Sequence, residues 1–174
     1  SDENGNRFCN EYYPTSEQRG YQTTFMTRKT KYAVVDNNFT EYRQYTLPQH
    51  AGFTANEENI ASLRESMDTA YAKFEGTYEE PEQEEGQGGP GGGGPMTGVE
   101  WIADDTLEGL AGQLGLTGDA AEEFVAQIER YNGYCKDGVD QEFGRAAEVL
   151  FPVEEGPFYA CTFDPVLGET MVTM

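Results

Sequence analysis

Residues 105–134, DTLEGLAGQLGLTGDAAEEFVAQIERYNGY, carry the clearest secondary-structure signals in the chain. The stretch Asp105-Thr-Leu-Glu108 has the pattern of a capping box, in which two side chains satisfy the free amides at a helix start. Gly115 is expected to end this first helix, because glycine takes a positive φ without strain. The predicted buried face consists of Leu107, Leu110, Ala111 and Leu114.

Two further helices are predicted from apolar residues at spacings of three and four. One runs from about Asp119 to Tyr134, and its apolar stripe is Phe124, Val125, Ile128 and Tyr131. The other runs from about Ala55 to Phe74, with Thr54 as its candidate N-cap. Its stripe is Ile60, Leu63, Met67, Tyr71 and Phe74.

Strand-like runs occur at residues 32–36, 157–163 and 170–174. Because helical patterns separate these runs, the sequence predicts an α+β fold with a small mixed sheet and packed helices. Residues 75–95, EGTYEEPEQEEGQGGPGGGGP, are expected to form a disordered acidic and Gly-rich surface loop. This stretch also matches the dinucleotide-binding motif GxGxxG, at Gly86, Gly88 and Gly91. The motif binds a dinucleotide only between a strand and a helix, so the match is interpreted as part of the loop.

The charge of the chain excludes some classes of partner. It contains 32 acidic and 11 basic residues, which gives a formal net charge of −21. Nucleic-acid binding needs Lys and Arg against the phosphates, so it is not expected. An anionic membrane surface is disfavoured for the same reason, and no run approaches the ~20 apolar residues of a membrane span.

Few residues offer conventional catalytic or metal-binding chemistry. Cys9, Cys135 and Cys161 form no CxxC pair and are expected to be mostly buried free thiols. His50 is the single histidine, and it has no GxSxG motif as a partner. The run 137–142 resembles half of a calcium loop but lacks several of the required ligands, so no metal site is predicted.

Arginines are the remaining candidates, because they are scarce and three of them lie beside aromatic residues, glycines and turns. Arg7, Arg19 and Arg145 could each clamp a carboxylate at a partly buried site. The alternative from the residues alone is a structural salt bridge with one of the 32 acidic side chains.

Four segments resemble one family of flavoproteins. Residues 2–11, DENGNRFCNE, resemble the DxxGxRFxNE segment of the fumarate reductase and 3-ketosteroid dehydrogenase class. Residues 104–115 resemble its DTLEELAKKLG helix, and residues 128–145 resemble its VxRYNGYxxxGxDxDFGR run. Residues 156–160, GPFYA, with Thr170 and Met171 resemble its return strand. The four motifs occur in the family's order.

The resemblance implies an excised capping domain of an FAD-dependent oxidoreductase. Residues 1–25 would lead from the FAD domain into the cap, 26–160 would form the cap, and 161–174 would return toward the FAD domain. FAD is expected in the full-length parent and not on this fragment, which would be inactive alone. The expected partners are a small-molecule substrate and the parent's own FAD-binding domain. The family includes cytoplasmic and exported proteins, so the resemblance assigns no compartment.

The resemblance also implies site residues. Fumarate reductases of this class place a proton-donating Arg four residues after the Glu of NE, where this chain has Thr15. Arg19 is therefore the expected donor or acceptor, reached by a four-residue insertion, and Tyr13 is the second candidate. Glu11, Arg145 and Thr170 are expected to border the substrate. Gly168 and Glu169 replace a His of the fumarate reductases, which argues against fumarate as the substrate.

Two other hypotheses compete with the capping domain. One is an acidic, non-catalytic protein-binding module whose aromatic residues and Gly-rich loop contact another protein. The other is a stand-alone enzyme, which is disfavoured because no complete nucleophile, metal or cofactor site is visible.

Overall fold

A computed structural model of the chain describes residues 1–10, 31–43, 57–80 and 100–163. The strands in these ranges are β1 Lys31–Val35, β2 Trp101–Asp104 and β3 Phe158–Phe163. They form one sheet with the order β1-β3-β2. The helices are α1 Phe39–Arg43, α2 Glu57–Glu75, α3 Leu107–Gln113 and α4 Asp119–Asp137, followed by a 3-10 turn at Ala147–Val149.

The predicted α+β class is confirmed, but the sheet is antiparallel in both described pairings rather than mixed. β1 and β2 run in the same direction, yet they do not pair, because β3 lies between them and opposes both. The predicted strands at 32–36 and 157–163 correspond to β1 and β3, whereas residues 170–174 lie outside the described part of the chain. β2 was not predicted.

The sheet forms the middle of three layers. Because successive side chains point to opposite faces, each strand contributes to two cores. One face packs on α2 through Trp101, Ala103, Tyr159 and Cys161, opposite Leu63, Met67 and Ala70. The other face packs on α3 and α4, where Tyr32, Phe158 and Ala160 meet Leu110, Ala111, Phe124 and Ile128.

The predicted stripe of α2 is correct over most of the helix. Leu63 and Met67 are buried, and Ile60 and Tyr71 are partly buried against the same core. Phe74 was expected in this stripe but is 40% exposed, because it lies in the last turn and meets the Tyr71 ring there. Thr54 and Ala55 lie outside the described ranges.

The caps of α3 and α4 differ from the sequence prediction in detail. The N-cap of α3 is Thr106, one residue after the predicted Asp105, and its hydroxyl accepts from the Gly109 amide at 3.0 Å. Asp104 is the reason for this shift, because its carboxylate holds the Thr106 amide and hydroxyl. Gly115 ends the helix with a φ of +77°, as predicted.

α4 continues to Asp137, beyond the predicted end at Tyr134, and stops at Gly138, which is left-handed. Of its predicted stripe, Phe124, Ile128 and Tyr131 are buried and Val125 is partly buried.

Only the start of the predicted acidic loop lies in the described ranges. Glu75 is the last residue of α2, and residues 77–80 have no regular secondary structure and are exposed. Residues 81–95 fall outside the described ranges. No helix in the described part of the chain is long and apolar enough to cross a membrane.

Candidate functional site

The N-terminal segment, residues 1–10, is held against the body of the domain at several points. Ser1 and Tyr32 exchange hydrogen bonds between their amino and carbonyl groups, at 2.7 and 2.8 Å, which ties the segment to β1. The Asp2 carboxylate accepts from the amides of Asn4 and Asn6, and this folds the segment into a tight turn.

Gly5 lies where the segment crosses α4. Its φ is +83°, and a Cβ at this position would lie 2.5 Å from the Ala120 carbonyl oxygen and from the Phe124 amide nitrogen. Such distances are far below van der Waals contact, so only glycine allows the backbone to come this close. The glycine of the DxxGxR motif is therefore explained by packing of the segment on α4.

Arg7 joins this segment to the loop that follows α4. Its Nη1 and Nη2 donate to Oδ1 and Oδ2 of Asp140, both at 2.9 Å. The side chains of Arg7 and Asp140 are 7% and 0% exposed. Two parallel bonds of this kind fix the orientation of the guanidinium plane as well as its position. The ion pair connects two of the sequence motifs, DxxGxR and GxDxxFGR.

Asp140 also organises its own loop. Its carboxylate accepts from the amides of Glu142, Phe143 and Arg145 at 3.0–3.2 Å. Burial alone would raise the pKa of Asp140. The hydrogen bond from Arg7, together with the Arg145 and Phe143 amides, outweighs burial and lowers the pKa to about 2. The carboxylate is therefore ionised at neutral pH and is unsuited to act as a general acid there.

Aromatic rings enclose the ion pair. The Arg7 guanidinium lies 4.9 Å from the centroid of the Tyr131 ring and 5.0 Å from that of the Phe143 ring. Arg145 lies 5.9 Å from the same Tyr131 ring. Two arginines, Arg7 and Arg145, thus contact the ring of one tyrosine on α4. Cation–π contacts of this kind are made more often by a guanidinium than by an ammonium group.

Cys135 lies on α4, one turn beyond Tyr131. Burial raises the pKa of the Cys135 thiol, while a hydrogen bond with Tyr131 and the charges of Arg145 and Arg7 lower it. The net direction is upward, so the thiol stays protonated at neutral pH and is a poor nucleophile. Cys9 and Cys161 are buried, Cys135 is half-buried, and none of the three is in a disulfide.

A polar network extends from the ion pair along α4. Glu142 lies 4.0 Å from Arg7 and accepts a hydrogen bond of 2.8 Å from Gln127. Gln127 in turn accepts from Arg130 at 2.8 Å, and Arg130 pairs with Glu123. The network ends at the exposed surface.

The structure describes only one of the five site residues that the sequence predicted. Arg145 is half-buried beside Tyr131, and its backbone amide bonds to Asp140. Glu11, Tyr13, Arg19 and Thr170 lie outside the described residues, as does His50.

The described chain nevertheless reaches the residue that precedes Glu11. The Asn10 side-chain amide donates to the Phe143 carbonyl oxygen at 3.3 Å. Asn10, the last described residue before the predicted donor segment, therefore lies beside the loop that carries Arg145.

Sequence reasoning missed three residues of this cluster. The sequence places Tyr131 in a helix stripe, Phe143 in a family motif and Asp140 in an incomplete calcium loop. The signal that could have linked Asp140 to Arg7 is their opposite charge in two motifs of one family.

In the described ranges, no group of three or more His, Cys, Asp or Glu side chains converges to hold a metal.

The described residues do not fit the diphosphate of FAD. A helix N-terminus binds phosphate through free amides and a positive dipole end. Here α4 carries Asp119 and Glu122 in its first turn, and α2 carries Glu57 and Glu58. At α3 the Asp104 carboxylate already lies beside the cap. Like charges would repel a diphosphate at each of these helix starts.

Curated proteins that match the chain include reductases and a dehydrogenase. Urocanate reductase of Eggerthella lenta is 43% identical over 51 residues, which are 29% of this chain and 8% of that protein. NADH:fumarate oxidoreductase of Klebsiella pneumoniae is 39% identical over 62 residues, which are 36% of this chain and 6% of that protein. For 3-oxosteroid 1-dehydrogenase of Mycolicibacterium smegmatis, the identity is 34% over 79 residues, with 37% of this chain and 13% of that protein covered.

A solved structure resembles the chain over most of its length. The 3-ketosteroid Δ1-dehydrogenase of Sterolibacterium denitrificans matches with a TM-score of 0.53 and 21% identity, covering 94% of this chain and 26% of that one. At this identity the likeness concerns the fold alone. No family model matches the chain.

Parts of the chain are thus homologous to FAD-dependent proteins of the fumarate reductase and 3-ketosteroid dehydrogenase family, over a small portion of those proteins. The resemblance drawn from the motifs is confirmed at this level. The chain spans only 6–13% of the curated relatives named above.

Proposed function

We propose that this chain is the substrate-capping domain of an FAD-dependent oxidoreductase that acts on a C=C or C–C bond of a small molecule. In such a protein the flavin carries the redox chemistry. The capping domain closes over the substrate, excludes water and supplies the group that donates or accepts a proton. The fragment alone is inactive and binds no FAD.

The observation that carries this proposal is the joining of two family motifs by the buried Arg7–Asp140 pair. A chance match of short motifs gives no reason for their polar residues to meet in space. The homologous reductases and dehydrogenases support the same interpretation.

The proton donor or acceptor in this proposal is Arg19, and Tyr13 is the second candidate. Glu11, Arg145 and Thr170 border the substrate. Of these, Arg145 has the described geometry of a positioned cation, since it is half-buried against Tyr131.

The test uses the full-length protein and three probe substrates taken from the names of the relatives reported above. These probes are urocanate, fumarate and a 3-oxosteroid. Turnover is measured with an artificial electron donor or acceptor, and flavin content is measured from the visible spectrum. We expect Arg19→Ala to lose most of the turnover while FAD stays bound.

Tyr13→Phe is the matched variant, because it removes only a hydroxyl from the second candidate. Near-normal turnover of Arg19→Ala with a large loss in Tyr13→Phe would transfer the donor role to Tyr13. A full-length protein without flavin would overturn the proposal and leave an acidic protein-binding module as the explanation.

A further inference from the structure

A cavity of about 270 Å³ lies between α2 and the start of β2. Because α2 and α4 pack on opposite faces of the sheet, this cavity is separate from the cluster around Arg7. Its volume falls just below the ~300–1,000 Å³ of sites for drug-sized ligands, so it suits a ligand of few atoms. The residues that line it include Glu65, Ser66, Lys73, Glu100 and Trp101.

Trp101 brings a hydrogen-bond donor to this cavity. The residue is 5% exposed, and its indole nitrogen is buried with no hydrogen-bond partner among the described residues. An indole N–H can only donate, and a buried donor that lacks an acceptor is both costly and rare in folded proteins. The Trp101 N–H would therefore be stabilised by an oxygen acceptor that enters the cavity.

The side chains at the mouth of the cavity carry charges of both signs. Lys73 follows Glu65 by eight residues on α2, a rise of about 12 Å along a helix, and Glu100 adds a second carboxylate beside Trp101. All three charged residues are exposed. The Lys73 ammonium contacts the Tyr78 ring at 5.2 Å, and within the described ranges none of the three is in an ion pair.

We propose that this cavity binds a small zwitterion, a molecule with a carboxylate at one end and an ammonium group at the other. The carboxylate accepts from the Trp101 indole N–H and pairs with Lys73. The ammonium group pairs with Glu65 and donates to the Ser66 hydroxyl oxygen. That oxygen can accept, because the Ser66 hydrogen is already donated to the Ser62 carbonyl at 2.9 Å.

Ligands with one sign of charge suit the cavity less well. A simple anion would meet two like charges, at Glu65 and Glu100. A simple cation would leave both donors, Lys73 and the Trp101 indole, without an acceptor. The exposed Lys73 side chain has to shift for a carboxylate to reach the indole, a rotamer change of the kind that binding commonly brings. The inference does not depend on the proposed function, since it involves no flavin and no redox step.

Trp101 is also the reporter for the test, because it is the single tryptophan of the chain. It gives one indole N–H peak in a ¹H–¹⁵N NMR spectrum of the 174-residue chain. The probes are 4-aminobutyrate, butyrate and butylammonium, which have the same number of carbon atoms and differ in their charged ends. At millimolar concentrations we expect 4-aminobutyrate to move the indole peak to higher ¹H frequency, and the other two probes to move it far less.

An indole peak that stays in place with all three probes would overturn the site. A response to butyrate as large as that to 4-aminobutyrate would overturn the zwitterion, because the ammonium group would then contribute nothing.

Two variants test the charged ends, and both change exposed side chains that the fold does not need. We expect Lys73→Gln and Glu65→Gln each to weaken the affinity for 4-aminobutyrate at least about 10-fold, since each removes a hydrogen bond to a charged group. Lys136→Gln is the matched control, because Lys136 is a 70% exposed lysine on α4. It should bind like the wild type. Wild-type affinity in both Lys73→Gln and Glu65→Gln would overturn the inference.

Discussion

Arg7 and Asp140 are 133 positions apart in the sequence, yet they form a two-bond ion pair in which neither side chain is more than 7% exposed. Taking two charges out of water costs several kcal/mol per ion, and their attraction repays this only when the remaining hydrogen bonds are satisfied. Here three backbone amides complete the shell of Asp140, and two rings cover Arg7. The pair is therefore far more sensitive to loss of one partner than an exposed pair.

Arg7→Met is expected to destabilise the chain by about 3–5 kcal/mol, because it leaves the Asp140 carboxylate buried without its cation. The measurement is urea unfolding followed by circular dichroism. Arg130→Met is the control, since Arg130 and its partner Glu123 are 41% and 37% exposed. An exposed pair contributes about 1 kcal/mol or less. Equal losses in the two variants would show that the Arg7 pair is not buried in solution.

The acid stability of the chain should depend on Asp140. The pKa of this carboxyl is about 2 in the folded chain against an ordinary value of 3.8. A lowered pKa contributes stability above pH 3.8 that is lost as the pH falls toward 2, and its size is about 2 kcal/mol. Asp140→Asn should flatten the stability curve in this window. The check is thermal unfolding from pH 2 to pH 6, and a mutant curve as steep as that of the wild type contradicts the assignment.

Asp36 should show the opposite sign. This residue is 2% exposed in the turn after β1, and its carboxylate accepts from the amides of Asn38, Glu154 and Glu155. Burial raises its pKa above 3.8, against the lowering effect of these amides. A raised pKa contributes stability below 3.8 that is lost as the pH rises through the folded value.

The advantage of the wild type over Asp36→Asn should therefore shrink as the pH rises from 3 to 7, as measured by urea unfolding at each pH. In the same range the advantage over Asp140→Asn should grow or stay level. A level or growing advantage over Asp36→Asn would contradict the assignment of Asp36, and a shrinking advantage over Asp140→Asn would contradict that of Asp140.

Gly5→Ala should loosen the N-terminal segment, because the new Cβ would meet the Ala120 carbonyl and the Phe124 amide at 2.5 Å. The positive φ adds strain for any residue with a Cβ. We expect a large fall in the melting temperature measured by calorimetry. Gly133→Ala is the matched control inside α4, where nothing lies within 4 Å of the added Cβ. It should be neutral or stabilising by up to about 1 kcal/mol.

Periodicity predicted the long helices well, since Leu63, Met67, Phe124 and Ile128 are all buried. It could not find β2, because four residues are too few for an alternation to stand out. The cap of α3 lies one residue later than predicted because the Asp104 carboxylate accepts from the Thr106 amide and hydroxyl in an Asx-type turn, which the capping-box pattern does not include.

The site was predictable only through the family motifs. The composition draws attention to Arg7 and Arg145 because basic residues are scarce in this chain. The partner of Arg7, however, lies in another motif, and the two side chains meet only in the folded chain. The assignments of Glu11, Tyr13, Arg19 and Thr170 stay predictions, since they lie outside the described residues.

The central claim is that this chain is one domain of a flavoprotein whose cofactor is held elsewhere. The most direct measurement is the visible absorption spectrum of two purified samples, the full-length protein and the isolated 174-residue chain. We predict a flavin spectrum at about one FAD per full-length molecule, and none on the isolated chain after added FAD is removed by dialysis. Flavin retained by the isolated chain, or a full-length protein without flavin, would contradict the claim.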